Sequence, residues 1–223
     1  DGAITIDKAS GSVLLASGLT TDVSRTFTLT RGTFDTGNFA FSSLGAFTQT
    51  SGTFTSGSSS LNIDGTFTLS GGTFNANTGT TTIGGAWTHT AGGAGTSGSG
   101  GAFVHNNGTI TFDSGSGKSI DAPGEIFYKL TVGMTSNQIL TITTGQTIVV
   151  ENLLTLADGL VNTGTIDAKG DVTMTANFDA ASTATLHFTG TTVTQTFTLT
   201  GVEASWDGAI TIDKASGSVL LAS

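Results

Sequence analysis

The chain is read as an all-β protein, a parallel β-helix of about 20 residues per coil. Three observations predict it. Aromatic and glycine residues recur at a constant step of 20. Within each unit, apolar and hydroxyl side chains alternate. The first seventeen residues, DGAITIDKASGSVLLAS, return unchanged as residues 207–223. Repeats on this scale are the signature of solenoids and arrays.

The step of 20 is carried by several independent columns. Gly-Thr-Phe occurs at 32–34, 52–54 and 72–74. Phe27, Phe47, Phe67 and Trp87 form one aromatic column, and Leu14, Phe34, Phe54 and Phe74 a second. A third holds Val23, Ser43, Ile63 and Ile83. Like residues recur in the same direction at equal separation. Hairpins would mirror them instead, so parallel stacking of successive coils is expected.

Each unit reads as short strands. In Thr26-Phe27-Thr28-Leu29-Thr30, alternate residues are apolar, as on a strand with one buried face. Glycines beside Ser, Asn or Asp punctuate the units and suit tight corners. Leu153-Leu154-Thr155-Leu156 lies in an alternating context and is read as strand. The second half is looser, with coils near 20 residues from Leu140 to Gly159 and from Leu160 to Asp179. Residues 93–101 hold nothing apolar larger than Ala94 and are read as a loop bulging from the solenoid.

The predicted core ladder is therefore Phe27, Phe47, Phe67, Trp87, Leu14, Phe34, Phe54, Phe74, Val23, Ile63 and Ile83. The predicted outward ladder is Thr28, Thr48, Thr68 and Thr88, beside Thr30, Thr50 and Thr90, with Ser70 in the same column. A lone coil is not expected to fold. Each buried apolar side chain returns about 1.5–3 kcal/mol, whereas ordering the backbone costs about 1–2 kcal/mol per residue. Neighbouring coils must complete the hydrogen bonds and cover the apolar ends. Residues 1–206 are read as one tandem repeat of roughly ten coils, and 207–223 as the start of the next. At about 4.8 Å per coil, one repeat advances roughly 48 Å. The ends of the sequence are read as cuts within an array, where no leader segment is expected.

Composition narrows the function. The net charge is −9, with only 7 basic residues, none adjacent. Nucleic-acid binding needs clustered Lys and Arg, so it is not expected. No apolar run reaches the length of a membrane span. With 14 Phe and many aliphatics, the chain has enough apolar surface to fold. It has no cysteine, which removes disulfide and thiolate-metal chemistry.

Candidate chemistry is sparse. Glu151 and Asp171 are 20 apart, and Asp158 and Asp179 are 21 apart, so each pair can stack, and stacked carboxylates can serve as catalytic or Ca²⁺-binding groups. Solvated corner residues are the simpler reading. His89, His105 and His187 lie far apart and show no metal-ligand spacing. His89 shares a column with Leu29, Gln49 and Leu69, read as a strand-end position that tolerates mixed residues. Asn107-Gly108-Thr109 is an N-glycosylation sequon. No catalytic, cofactor or metal site is expected, and no enzyme activity.

The strings GTFTSGSSSLNIDGTFTLSGGTFNANTGTTTIGGAWT and GSGKSIDAPGEIFYKLTVG resemble very large bacterial β-strand-repeat surface proteins. They are also similar to filamentous-haemagglutinin-type adhesins, whose shafts are right-handed parallel β-helices. The resemblance implies an extracellular or cell-surface, fibrous role. The expected function is a structural repeat stacking end to end into a fibre or adhesin stalk. The expected partners are adjacent identical repeats, with lateral fibre contacts and surface glycans as further partners. Alternatives are a ligand- or ice-binding face built on the threonine ladders, resembling that of some β-solenoid antifreeze proteins, or a β-helix enzyme acting on polysaccharide.

Overall fold

A computed structural model describes residues 3–43, 45–90, 100–191, 194–201 and 205–223. These residues form strands and no helix. The strands pair in parallel as turns of a β-solenoid, about ten turns in all at a step of roughly 21 residues. The chain divides into two compact units, residues 1–110 with 121–123, and residues 111–120 with 124–223.

In the first unit the turns from Phe47 onward carry three short strands each, whereas in the two turns before it the first two strands run together as Ile4–Leu14 and Phe27–Asp35. Phe47–Gln49, Thr53–Thr55 and Leu61–Ile63 make one such turn. Phe67–Leu69, Thr73–Asn75 and Thr80–Ile83 make the next. Phe27, Phe47, Phe67 and Trp87 lie opposite one another in register, as do Phe34, Phe54 and Phe74, at the predicted step of 20. Ser43, Ile63 and Ile83 complete the third column. These side chains are at most 1% exposed.

The two aromatic columns interlock. Along the axis, Phe54 and Phe74 stack at 4.7 Å between ring centroids, and Phe67 and Trp87 at 4.1 Å. Across the interior, Phe47 meets Phe54 edge-on at 5.2 Å, and Phe67 meets Phe74 edge-on at 4.9 Å. Offset stacking and edge-to-face contact both suit the ring quadrupole. The alternation of the sequence thus becomes a dry interior and a hydroxyl-bearing exterior.

Glycine columns set the corners. A Cβ on Gly72 would lie 2.2 Å from the Gly52 carbonyl oxygen, and Gly72 holds a φ of +78°. Neither the space nor the backbone conformation admits another residue without strain. At the corner before the strand Trp87–His89, a Cβ on Gly85 would lie 2.1 Å from the Gly65 carbonyl oxygen.

The first turn departs from the step of 20, and two predicted core residues fall out of the core. Ile4–Leu14 pairs with Phe27–Asp35, but the register shifts at Ile6/Asp7 and again at Asp7/Ser12. Val13, not Leu14, lies opposite Phe34, and Leu14 is 64% exposed. Thr21, not Val23, lies opposite Ser43, and Val23 is 70% exposed. Extra residues at the corners move the true step to between 21 and 24 here, so counting back 20 lands on the wrong residue.

In the second unit the steps vary from 18 to 25. Thr165–Ala168 and Asp171–Thr175 follow Thr147–Asp158 at 18, and Asp171–Thr175 precedes Thr194–Thr200 at 25. Leu153-Leu154-Thr155-Leu156 lies in the strand Thr147–Asp158, as the alternation predicts. The expected loop at 93–101 lies outside the described residues except for Gly100 and Gly101. The ladder resumes beyond it with Ala102 opposite Thr73.

Candidate functional site

The first candidate surface is the threonine ladder. Thr28, Thr48, Thr68 and Thr88 stand in register on strands whose alternate residues are buried phenylalanine, tryptophan, leucine, glutamine and histidine. Thr5 joins the column opposite Thr28. The column residues at 28, 48, 68 and 88 are half-buried because each hydroxyl-methyl head is flanked by the next. Beside it, Thr50, Ser70 and Thr90 donate their amides to the carbonyls of Leu29, Gln49 and Leu69. Thr30 is half-buried, while Thr50 and Thr90 are exposed.

The second candidate surface is built by the duplicated seventeen residues, and sequence reasoning did not foresee its key property. The two copies use opposite edges. The first copy pairs forward: Ile4 lies opposite Phe27, Ile6 opposite Leu29, and Val13 opposite Phe34. The second copy pairs backward: Ile210 lies opposite Leu186, Ile212 opposite Phe188, and Val219 opposite Gln195. Ile210, Ile212 and Val219 are the counterparts of Ile4, Ile6 and Val13. Gly11 and its counterpart Gly217 both hold a left-handed backbone, at φ +79° and +81°.

Adjacent charged residues anchor in opposite directions. Asp7 accepts a hydrogen bond from the Arg31 guanidinium on the following turn. That bond holds the Asp7 carboxyl below its ordinary range and pushes Arg31 up. In the second copy, Lys214 donates to the Gly190 carbonyl at 2.7 Å and to Gln195 Oε1 at 3.1 Å on the preceding turn. Gln195 is itself fully buried and donates to the Ala168 carbonyl.

Among the described residues each copy pairs through one edge only. At the second copy, Ile210, Ile212, Leu220 and Leu221 are 46–64% exposed. Ile210, Ile212 and Leu221 border an apolar recess of about 360 Å³, lined also by Phe188, Phe197 and Trp206. At the first copy, Ile4, Ile6, Val13 and Leu15 are only half-buried.

The carboxylates spaced 20 and 21 apart are not brought into register as pairs. Asp171 lies opposite Leu153, because the step there is 18 rather than 20. Glu151 instead lines a shallow groove with Tyr128 and Lys169. Asp158 Oδ1 accepts from the Gly159 amide, and Asp179 accepts from Ser136 Oγ and the Asn137 amide. Among the described residues, no group of three His, Asp or Glu side chains is placed to hold a metal ion.

The histidines are scattered. His89 is fully buried, with Nε2 3.4 Å from the Gly101 carbonyl, in the inward column of Gln49 and Leu69. His105 Nδ1 accepts from the Asn107 amide, and His187 Nδ1 lies 3.9 Å from Asp167. Asn107 of the sequon is exposed at a left-handed corner. No helix among the described residues is long and apolar enough to cross a membrane.

No family model, curated protein or solved structure matches the chain.

Proposed function

We propose that the chain is a structural repeat of an extracellular fibre or adhesin stalk, in which successive repeats run into one solenoid through the seventeen-residue segment. The opposite-edge pairing of the two copies carries this reading. Placed between two repeats, the segment has both neighbours at once. Leu186, an isoleucine and Phe27 make one interior column. Phe188, the next isoleucine and Leu29 make another. The aspartate reaches forward to arginine and the lysine reaches back to Gly190 and Gln195. A repeat protein gains stability from such nearest-neighbour interfaces, so identical joints allow length to change with repeat number alone.

A chain of residues 1–206 followed directly by residues 1–223 tests this. Negative-stain microscopy is expected to show one stiff particle, longer than the single chain by roughly 48 Å, from ten turns at about 4.8 Å each. Two particles on a flexible tether would overturn the reading.

The register of Thr5, Thr28, Thr48, Thr68 and Thr88 favours a second reading, a hydroxyl face that binds ice or surface glycans. Thermal hysteresis or glycan-array binding that is lost on Thr48→Lys would support it. Neither activity in the parent chain would remove it.

A further inference from the structure

We propose that the groove lined by Tyr128, Glu151, Lys169, Thr189 and Thr191 is a binding site for a neutral, hydroxyl-rich saccharide. The site is independent of the rod reading and lies on other strands than the threonine ladder. Unequal steps along the chain hide it from a count of 20. Phe127, Val150, Ala168 and Phe188 lie opposite one another on four successive turns. All four are buried. By the alternation of a strand, the residue after each faces outward. Those residues are Tyr128, Glu151, Lys169 and Thr189, so four different chemistries stand in file along the solenoid.

The backbone fixes this file. The register shifts between Phe127 and Lys129, which sets Tyr128 against Glu151 and Asn152 together. Such a bulge re-aims side chains. The amides of Lys169 and Thr189 donate to the carbonyls of Val150 and Ala168, carrying the ladder one residue past the ends of their strands. A Cβ on Gly170 would lie 1.8 Å from the Asn152 carbonyl oxygen, and one on Gly190 2.0 Å from the Lys169 carbonyl oxygen. Glycine at both positions lets successive turns close up beside the groove. Tyr128 and Thr189 are half-buried, while Glu151, Lys169 and Thr191 are exposed. The groove holds about 460 Å³, within the range of small-molecule sites.

The lining chemistry selects the ligand. Thr189 Oγ1 donates to Asp167 Oδ1, which also lies 3.9 Å from His187 Nδ1. With its proton committed there, the Thr189 oxygen is left to accept. The Glu151 carboxylate accepts and the Lys169 ammonium donates. A sugar hydroxyl does both, so it is served by this set. Tyr128 offers a flat apolar face to the C–H side of a pyranose ring. The Lys129 ammonium, 5.7 Å from the ring centroid, steadies that ring. An ionic ligand would bring its charge against Glu151 or Lys169, whichever shares its sign. The net charge of −9 gives no field that draws in a polyanion.

Tyr128 is the only tyrosine of the chain, so labelled tyrosine gives ring NMR signals from this site alone. The full 223-residue chain is titrated with neutral oligosaccharides of glucose, galactose, mannose and N-acetylglucosamine, and with uronic-acid and sulfated oligosaccharides. At least one neutral oligosaccharide is expected to shift the Tyr128 signals saturably. Glu151→Gln, at an exposed position, is expected to weaken that binding about tenfold, as loss of a hydrogen bond to a charged group does. Tyr128→Ala, followed by calorimetry, is expected to weaken it at least as much. Val23→Ser, 70% exposed in the first unit, is expected to bind as the parent does. No saturable shift from any neutral oligosaccharide would overturn the proposal, as would shifts from the acidic ones alone. Equal weakening by Val23→Ser and Glu151→Gln would mean a non-specific effect and overturn it. Binding that survives Tyr128→Ala and Glu151→Gln but is lost in Thr48→Lys would belong to the threonine ladder and overturn it too.

Discussion

Replacing Phe54 by alanine tests the interlocked aromatic columns where they are most connected. Phe54 is fully buried and meets four rings: Phe34 at 5.7 Å, Phe41 at 5.7 Å, Phe47 at 5.2 Å and Phe74 at 4.7 Å. Loss of its transfer energy alone is about 1.5–3 kcal/mol. The cavity left behind raises a Phe→Ala change to about 3–5 kcal/mol. Each ring pair adds about 0.5–1.5 kcal/mol beyond area. Because stacked turns above and below hold the backbone, the site has little freedom to collapse, so the upper end, about 4–5 kcal/mol, is expected. Urea denaturation followed by circular dichroism reads it. With an m-value of about 2 kcal/mol/M, the midpoint falls by about 2 M. Leu14→Ala is the control, since Leu14 is 64% exposed and its loss is expected within about 0.5 kcal/mol. If Phe54→Ala costs under about 1 kcal/mol, or Leu14→Ala costs as much as Phe54→Ala, the assignment of the core is wrong.

Gly72→Ala and Gly124→Ala separate crowding from backbone strain: both hold positive φ, but only Gly72 would meet a carbonyl, while a Cβ on Gly124 meets nothing within 4 Å. Gly124→Ala is expected to lower stability by about 1–2 kcal/mol and Gly72→Ala by clearly more; equal losses in urea melts would contradict the stacked corner. Deleting residues 52–71 removes one turn but brings Gly72 to the corner position of Gly52, so the shortened chain is expected to retain its β-sheet circular dichroism and a cooperative melt. Loss of folding would count against the solenoid step. The Asp7 carboxyl is held low by Arg31, so its contribution to stability is complete above the unfolded-state pKa of about 3.9 and is lost as the pH falls through the lower folded value. Asp7→Asn is expected to flatten the stability-against-pH curve slightly below pH 4 and leave its shape near neutrality unchanged; a change confined to neutral pH would argue against the pair.

The fold was legible wherever every turn has the same length. From Phe27 to Thr90 the step is constant, so a count of 20 finds the true neighbour. It fails at Leu14 and Val23 because the corner between Thr21 and Phe27 is longer than the equivalent corner between Ser43 and Phe47, which no composition signal marks. It fails at the Glu151 and Asp171 pair because corners in that region shorten the step to 18. Polar residues inside the core were also hidden. Gln49 occupies an inward position because its side-chain amide donates to the carbonyls of Gly52, three residues on, and of Thr73, on the following turn. His89 does end the strand Trp87–His89, as its column suggests, but its letters do not show that it is fully buried beside Leu69. The duplicated segment was visible at once, but the edge each copy pairs through depends on its neighbours and not on its own letters.

Hydrogen exchange across the join in the two-repeat chain tests most directly whether the solenoid is continuous. In the single chain, the amides of 207–223 pair on one side only and are expected to exchange quickly, as terminal turns do. With a second repeat following, a continuous solenoid predicts that these amides slow to the rate of the turns from Phe27 to Ile63. Exchange at the join that stays as fast as in the single chain would contradict it.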